Sequence, residues 1–566
     1  KDIVLGTCEF YFKFPAVCPL GQQIEILLQP KLMRRKFLVL LIYFFSASCL
    51  MAQVQYKRLH QDIMADLHDG KVEQSLQNLE ALLQQNLRDP ETHYTLAVAL
   101  TLDNKVKQAM DHVLQSLKYG LPFDRYLAGP RDWLRPLVES RDFQRLMDHP
   151  NPIVHGPMLG DFTAESASVW VRTWEESPVK VMYSTSMEME DAQTSGSVQS
   201  QAETDYTAVV NLSGLEPETE YYYQIVVGED TLRSEEWSFI TFPEKGQPFN
   251  QEIGFGACAG YTPQYTHMWS MLAAHRFPVF LMLGDNVYID HPERPAIQDY
   301  TYYRRQSENR YKSFISRTPI YAVWDDHDFG TNDSWGTSAK YEPAWKYDVW
   351  KKYRHNWNNP YYGGGEEQPG VWTDFSYGDV DFFMLDSRYY RTESEAAQPD
   401  MLGEAQMAWL KEKLKNSEAT FKIIASPSPW SFDSKTGTQM TPAGRRPGGL
   451  DTWLGFQEQR KEIFDFLHEE RIEGVVLISG DRHRSDAWKI QREEGYDLYE
   501  FESARLTNIH THGLMPEAIF GYNEKNSFGI LHFDTTQPDP EVTYKIYNIE
   551  NELINQLTLK LSQLEY

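Results

Sequence analysis

The chain has 566 residues, 41% of them apolar and 14% aromatic, and a formal charge of -27. That length holds several domains, each able to bury its own core. The acidic balance excludes a broad nucleic-acid-binding surface, which needs basic patches, but it leaves room for a local cation site built from carboxylates.

Residues 1–32 show no clear periodicity, and the sequence starts at Lys1. Met33 then opens MRRKFLVLLIYFFSASCLMAQ. Arg34, Arg35 and Lys36 form a basic n-region, Phe37–Phe45 an apolar h-region, and small residues follow. This is the pattern of a secretory signal peptide over residues 33–52, cut after Ala52, and its apolar run is short for a membrane span. Residues 1–32 then read as an upstream extension from a start codon placed too early. A lipid anchor on Cys49 is the weaker alternative, because Ser46 stands where an aliphatic residue is expected. The expected mature chain is exported (periplasmic, cell-surface or secreted), has no membrane span and keeps one cysteine, Cys258. That thiol has no partner for an internal disulfide. It is either buried and inert or chemically employed.

Residues 53–150 read as helical. Leu96, Ala97, Leu100, Ala109 and Val113 recur at helical spacing, with a break at Asp103–Asn104. Pro90 opens the first helix, and Gly120 and Pro122 close the second. The segment resembles one tetratricopeptide unit, with a weaker partner over Ile63–Leu87; a generic helical hairpin is the alternative. Its expected role is packing or docking a protein partner.

Residues 151–245 change period. Ser168–Trp174, Lys180–Thr185, Thr207–Leu212 and Tyr221–Val227 are short alternating strands separated by turn signals. LEPETEYYY (Leu215–Tyr223) resembles the tyrosine corner of fibronectin type III domains, so a β-sandwich is expected.

From residue 250 to 566 strands alternate with helices, an α/β layered domain. Strands are expected at Ile253–Cys258, Val279–Leu283, Ile320–Trp324, Val380–Asp386, Phe421–Ala425 and Val475–Gly480. Amphipathic helices are expected at Ala405–Lys415 and Phe456–Glu470. Glu541–Tyr547 offers a further strand, and the alternation around Leu557–Leu561 suits a sheet edge.

Four strand ends of this domain finish in cation-competent residues: Cys258 in FGACAG; Asp285 and Tyr288 in LGDNVY; Asp325, Asp326, His327, Asp328 and Asn332 in VWDDHDFGTND; Asp481 and His483 in ISGDRH. A sheet that converges its loops on a polynuclear metal site gives this pattern. Without cations, the carboxylates of WDDHD would repel one another in a low-dielectric cleft. Arg388, in MLDSRYYR, either grips phosphate oxygens or pairs with Asp386. Arg445 and Arg446 lie in a Gly/Pro-rich loop, and Asn356–Gly370 reads as a lid or specificity loop. His510 and His512 form an HxH pair.

The order Cys, GDxxY, WDDHD, LDSR, GDxH resembles the PhoD-type alkaline phosphatases and phosphodiesterases. These are calcineurin-like metallophosphoesterases related to purple acid phosphatases. The resemblance runs from about Pro152 to the C-terminus and includes the β-sandwich. It implies Cys258 and Tyr288 as ligands of a ferric ion, Asp285 as the bridging carboxylate and Asn332 as an amide ligand. Asp481 and His483 would complete the second cation site, and Asp326 and His327 would be a ligand and the catalytic histidine. The implied cofactors are Fe3+ with Ca2+ or another divalent ion, which suit thiolate and phenolate on one side and oxygen donors on the other. The implied reaction is hydrolysis of small phosphate mono- or diesters by a metal-held hydroxide, with His327 assisting the phosphoryl group or the leaving oxygen. A degenerate scaffold acting through its helices and a phospholipid-cleaving hydrolase are the rival readings.

Overall fold

The computed structural model describes residues 59–147, 151–435, 438–441 and 444–566, with side chains from 436 to 448 left out. The extension at 1–32, the leader at 33–52 with Cys49, and the side chains of Arg445 and Arg446 lie outside the described residues. Among the described residues, no helix is long and apolar enough to cross a membrane.

A helical segment comes first. Residues 59–68 form a helix, followed by Val72–Gln85, Pro90–Leu102 and Val106–Lys118. Asp89 caps the third of these by accepting the Thr92 N–H at 2.9 Å, and Pro90 occupies its first turn, where no N–H is needed. Residues 91–101 are all buried, so this helix is covered on every side. Val106–Lys118 buries only Ala109, Met110, Val113 and Ser116, one stripe.

The segment that follows is all β. Ile153–Gly160, Ser166–Thr173 and Thr207–Ser213 form one antiparallel sheet. A second is built around Pro178–Ser184 and Glu220–Val227, whose alternating burial marks one solvated face. Tyr221 turns its hydroxyl back to accept the Glu216 N–H at 3.0 Å, the local bond expected from LEPETEYYY.

The remainder holds two facing sheets. One runs Ile320–Val323, Phe280–Leu283, Asn250–Gly256, Ser527–Asp534, Glu541–Asn548 and Leu553–Lys560 in spatial order. Its first three strands are parallel, and the last three are antiparallel additions. Phe280–Leu283 has a parallel neighbour on each side and is buried throughout, as its unbroken apolar run requires. The other sheet runs Thr373–Tyr377, Val380–Met384, Phe421–Ser426, Val475–Ser479, Leu498–Ser503, Ser485–Ile490 and Phe520–Tyr522. Aromatic pairs lock the two inner faces: Phe421 meets Phe533 at 5.9 Å and Phe501 stacks on Tyr544 at 4.6 Å. The helices Glu404–Asn416 and Gln457–Glu469 precede the Phe421 and Val475 strands as right-handed crossover geometry expects. Asn356–Gly370 is no free lid at its start: Asn358 donates to the carbonyls of Met158 and Ser168 at 3.2 and 3.1 Å, tying this loop to the β segment.

Candidate metal centre

The strands Asn250–Gly256, Phe280–Leu283 and Ile320–Val323 end beside one another, and Val475–Ser479 ends against them from the opposing sheet. Two glycines permit that approach. A Cβ on Gly284, which sits at φ +92, would lie 2.5 Å from the Asp325 Cβ, and one on Gly480 would lie 2.5 Å from the Ala257 Cβ. Immediately after the strands, Cys258, Asp285, Asp481 and His483 adopt φ of 59, 51, 70 and 52°. Non-glycine residues rarely enter this left-handed region, and such residues concentrate where a site over-determines the backbone.

The turns bring their side chains into contiguous groups. Cys258, Asp285 and His483 place one ligand atom each within 4.8 Å of one another, and so do Asp285, Asp326 and His327. Asp285 belongs to both. The Tyr288 hydroxyl donates to Asp285 Oδ2 at 2.9 Å, so the phenol joins the first group. All of these residues are buried.

The donor chemistry fits metal ions. Burial, then the charge of Asp285, pushes the Cys258 thiol well above its usual pKa. The same two causes raise the Tyr288 phenol. Burial raises the Asp285 carboxyl, and Asp326, Asp325 and Asp328 add repulsion that His327 only partly offsets. Left to itself the group resists ionisation; cations at these atoms would reverse that, since thiolate, phenolate and carboxylate are the ligand forms.

His327 faces this group from one side. Its Nδ1 lies 2.5 Å from Asp290 Oδ1, and its ring packs on Tyr288 at 4.4 Å. A carboxylate only accepts, so Nδ1 carries the proton and Nε2 is left for chemistry. Burial depresses the imidazole, but Asp290, Asp326 and Asp285 outweigh it and raise its pKa to about 10. Asp328 accepts backbone N–H groups of Asn286, Val287 and Asp325 at 3.1, 3.0 and 3.0 Å, which fixes the Asp285 turn to the WDDHD turn.

Several expected residues are placed differently. Asn332 is exposed and joins no group; its neighbour Asp333 is buried instead, where the turn after Phe329 directs it inward. Asp481 faces the Arg482 guanidinium and is in none of the metal-competent groups. His483 groups with Cys258 and Asp285, where Gly480 seats its strand end against Ala257. Arg388 is fully buried, and its guanidinium is bonded to carboxylates of this chain. Its Nε donates to Asp325 at 2.6 Å and its Nη1 to Asp451 at 3.1 Å, while Asp386 takes only its backbone N–H. His510 and His512 stand beside His483, with ring centroids 5.1 and 5.6 Å away, but in no metal-competent group.

Three residues escaped the sequence reading. Asp290 orients His327; it ends the same LGDNVYID stretch and was within reach of a motif reading. Asn508 donates to the Tyr288 hydroxyl at 2.5 Å, brought there because residues 504–508 run beside Ala257 and Cys258. Asp451 joins Asp326 and Asp333 in a third acidic group but is held by Arg388, Arg391 and Lys435. No local pattern marks it.

Comparison with known proteins follows the same outline. The family described as PhoD-like phosphatase matches residues 253–529, and its N-terminal domain family matches 141–243. Alkaline phosphatase D of Bacillus subtilis is 22% identical, over 59% of this chain and 65% of that relative's length. The chain therefore spans just under two thirds of that curated relative. Among solved structures, one of PhoD superposes with a TM-score of 0.59 at 18% identity, covering 72% of this chain and 93% of that one. A purple acid phosphatase from yellow lupin (Lupinus luteus) superposes at 0.52 with 12% identity, covering 72% and 75%. The architecture is thus the metallophosphoesterase-like α/β fold. The chain belongs to the PhoD-like phosphatase family.

Proposed function

We propose that this protein is a metal-dependent phosphoesterase acting on small phosphate mono- or diesters. The observation that carries the reading is the sharing of Asp285 between two adjacent sets of side chains, Cys258 and His483 on one side and Asp326, with His327 beside it, on the other. A carboxylate so placed suits a pair of cations. Cys258, Tyr288 and His483 are the donors for a trivalent ion such as iron, and Asp326 an oxygen donor for calcium or another divalent ion. When bound, such ions supply Lewis acidity at the phosphoryl oxygens and water acidified toward neutrality.

The chain's own residues do the rest. Asp290 holds His327 with Nδ1 protonated, so Nε2 is aimed for proton delivery to a leaving oxygen. Arg388, locked on Asp325 and Asp451, supports the WDDHD turn from behind. The closely packed strand ends keep bulk water from the ligand atoms. Family membership and the likeness to alkaline phosphatase D support the activity. The basic, apolar and small-residue order at 33–52 supports an exported protein. The tyrosine-corner bond of Tyr221 supports a fibronectin III-like sandwich, and the paired helices Pro90–Leu102 and Val106–Lys118 support a tetratricopeptide-like unit.

The test is elemental analysis of protein purified without chelator, beside Cys258→Ala, with hydrolysis of mono- and bis-nitrophenyl phosphate measured on both. Stoichiometric metal in the parent, reduced in the variant together with activity, is the expected result. The two rates assign monoester or diester preference. A parent with neither metal nor hydrolysis would refute the reading.

A further inference from the structure

The helix at residues 59–68 carries a buried amide that packing alone does not require. Gln61 is 1% exposed, shortly before the buried Ile63 and Met64, and its Oε1 has no hydrogen-bond partner. Burying a polar group with one atom unpaired opposes folding, a cost that the bonds of the other end must offset. The amide nitrogen is fully used. Gln61 Nε2 donates to the Tyr288 carbonyl at 2.7 Å and to the Ile289 carbonyl at 2.5 Å.

Those two carbonyls are consecutive. In a strand they would point to opposite sides; here both turn toward one donor, so the chain bends sharply just after Tyr288. The same bend fixes two members of the metal centre. The Tyr288 side chain reaches Asp285 from it, and the Ile289 N–H donates to the His327 carbonyl at 2.9 Å. Gln61 is therefore one peptide away from both the phenol and the histidine. It also lies outside the stretches matched by the two families, 141–243 and 253–529.

The rest of the helical segment is docked to match. Arg125 pairs with Glu91 at 3.0 Å, and the Tyr300 hydroxyl donates to the same carboxylate at 2.7 Å. Lys312 pairs with Asp124 at 2.8 Å and Arg294 with Asp69 at 3.2 Å. The contacts of Tyr300, Lys312 and Arg294 join the helical segment to the helices and loops that follow Asp290, while Arg125 holds Glu91 in place from within the segment.

We propose that the N-terminal helices are part of the catalytic unit, with Gln61 a positioning residue that holds the Tyr288–Ile289 peptide and, through it, Tyr288 and His327. The partner of the helical segment is then this chain's own catalytic domain. The inference rests on the metal-centre reading for its effect on metal and turnover, but not for its effect on the loop.

The experiment uses the full chain. Gln61→Leu and Gln61→Glu each remove both donors; Asp124→Asn weakens the same junction away from the loop. Three quantities are read: amide hydrogen exchange at Ile289, ferric-ion affinity of chelator-stripped protein, and kcat and KM on nitrophenyl phosphate. The Gln61 variants should exchange Ile289 about tenfold faster, bind ferric ion about tenfold more weakly and lose kcat with little change in KM. Asp124→Asn should shift only the melting temperature. In the unaltered chain the Gln61 side-chain amide should itself resist exchange, a reading that holds even where a variant fails to fold. Gln61 variants that behave as Asp124→Asn does, or an unprotected Gln61 amide, would overturn the proposal. If the parent binds no metal, the phosphoesterase reading falls, and the exchange data alone still decide whether Gln61 braces the loop.

Discussion

Two acidic clusters lie side by side in this protein and are balanced in opposite ways. Around Asp325, Asp333 and Asp451 the chain supplies its own cations: Arg388 reaches Asp325 and Asp451, Arg391 reaches Asp451, and Lys435 reaches Asp333 and Asp451. Three guanidinium or ammonium groups meet three carboxylates. Asp451 is held well below the usual carboxylate range, since these cations outweigh its burial. Around Asp285, Asp326, Cys258 and Tyr288, by contrast, no arginine or lysine among the described residues makes an ion pair with a cluster acid. Asp285 is raised well above the usual range by burial and by neighbouring carboxylates. Both clusters hold buried carboxylates, and the second adds a thiol and a phenol. What differs is that arginine and lysine pair with the acids of the first, whereas His327 offsets Asp285 of the second only in part. A neutralised cluster serves stability, and an un-neutralised one calls for a ligand.

The sharpest way to break this contrast is at Asp285. Asp285→Asn should cut kcat/KM about a thousandfold, equivalent to about 4 kcal/mol, and remove bound metal. The same change should raise the melting temperature of chelator-stripped protein, because it removes a carboxyl that burial and its acidic neighbours make costly to ionise. A fall in that apo melting temperature would sink the contrast. Asp451→Ala should do the reverse. It removes the carboxylate that Arg388, Arg391 and Lys435 share and should destabilise the protein by about 3–5 kcal/mol with or without metal, read by denaturant unfolding. Next in size, His327→Gln should lower kcat about a hundredfold while metal stoichiometry is kept. Loss of the metal in that variant would make His327 a ligand instead of a proton donor.

The smallest effect tests whether the self-neutralised pattern extends to the helical junction. Glu91 is buried; burial raises its pKa, but Arg125, Arg304 and His60 outweigh this and lower it. A depressed carboxylate contributes stability above its unfolded pKa of about 4.3 and loses it as pH falls through the folded value. Glu91→Gln should therefore cost about 2 kcal/mol at pH 7 and flatten the acid limb of the stability profile below about pH 4. An unchanged acid limb would place Glu91 outside this class.

Much of this was legible before any coordinates. The run FPVFLML has no polar break, so it needs cover on both faces, and Phe280–Leu283 is a parallel strand buried throughout. Pro90 and the Asp103–Asn104 break mark helix ends because one lacks an N–H and the others favour turns. Cys258, Asp285, Tyr288, Asp326 and His327 were readable as a set because each follows an apolar strand closely. Ser527–Asp534, which pairs antiparallel with Asn250–Gly256, was not read, since a strand's partner lies hundreds of residues away and leaves no local mark.

The sequence by itself determined which residues can carry the chemistry, because ligand type and strand-end position are local properties. Only the tertiary structure decided how their charges are shared. Whether Arg388 meets substrate or Asp325 and Asp451, whether Asn332 or Asp333 turns inward, and whether His483 sides with Cys258 depend on which strand ends touch. Gln61 shows the same limit from farther away: 227 residues separate it from the Tyr288 carbonyl it holds. Hydrogen bonds and ion pairs act over a few ångströms of space, and chain order does not record that distance.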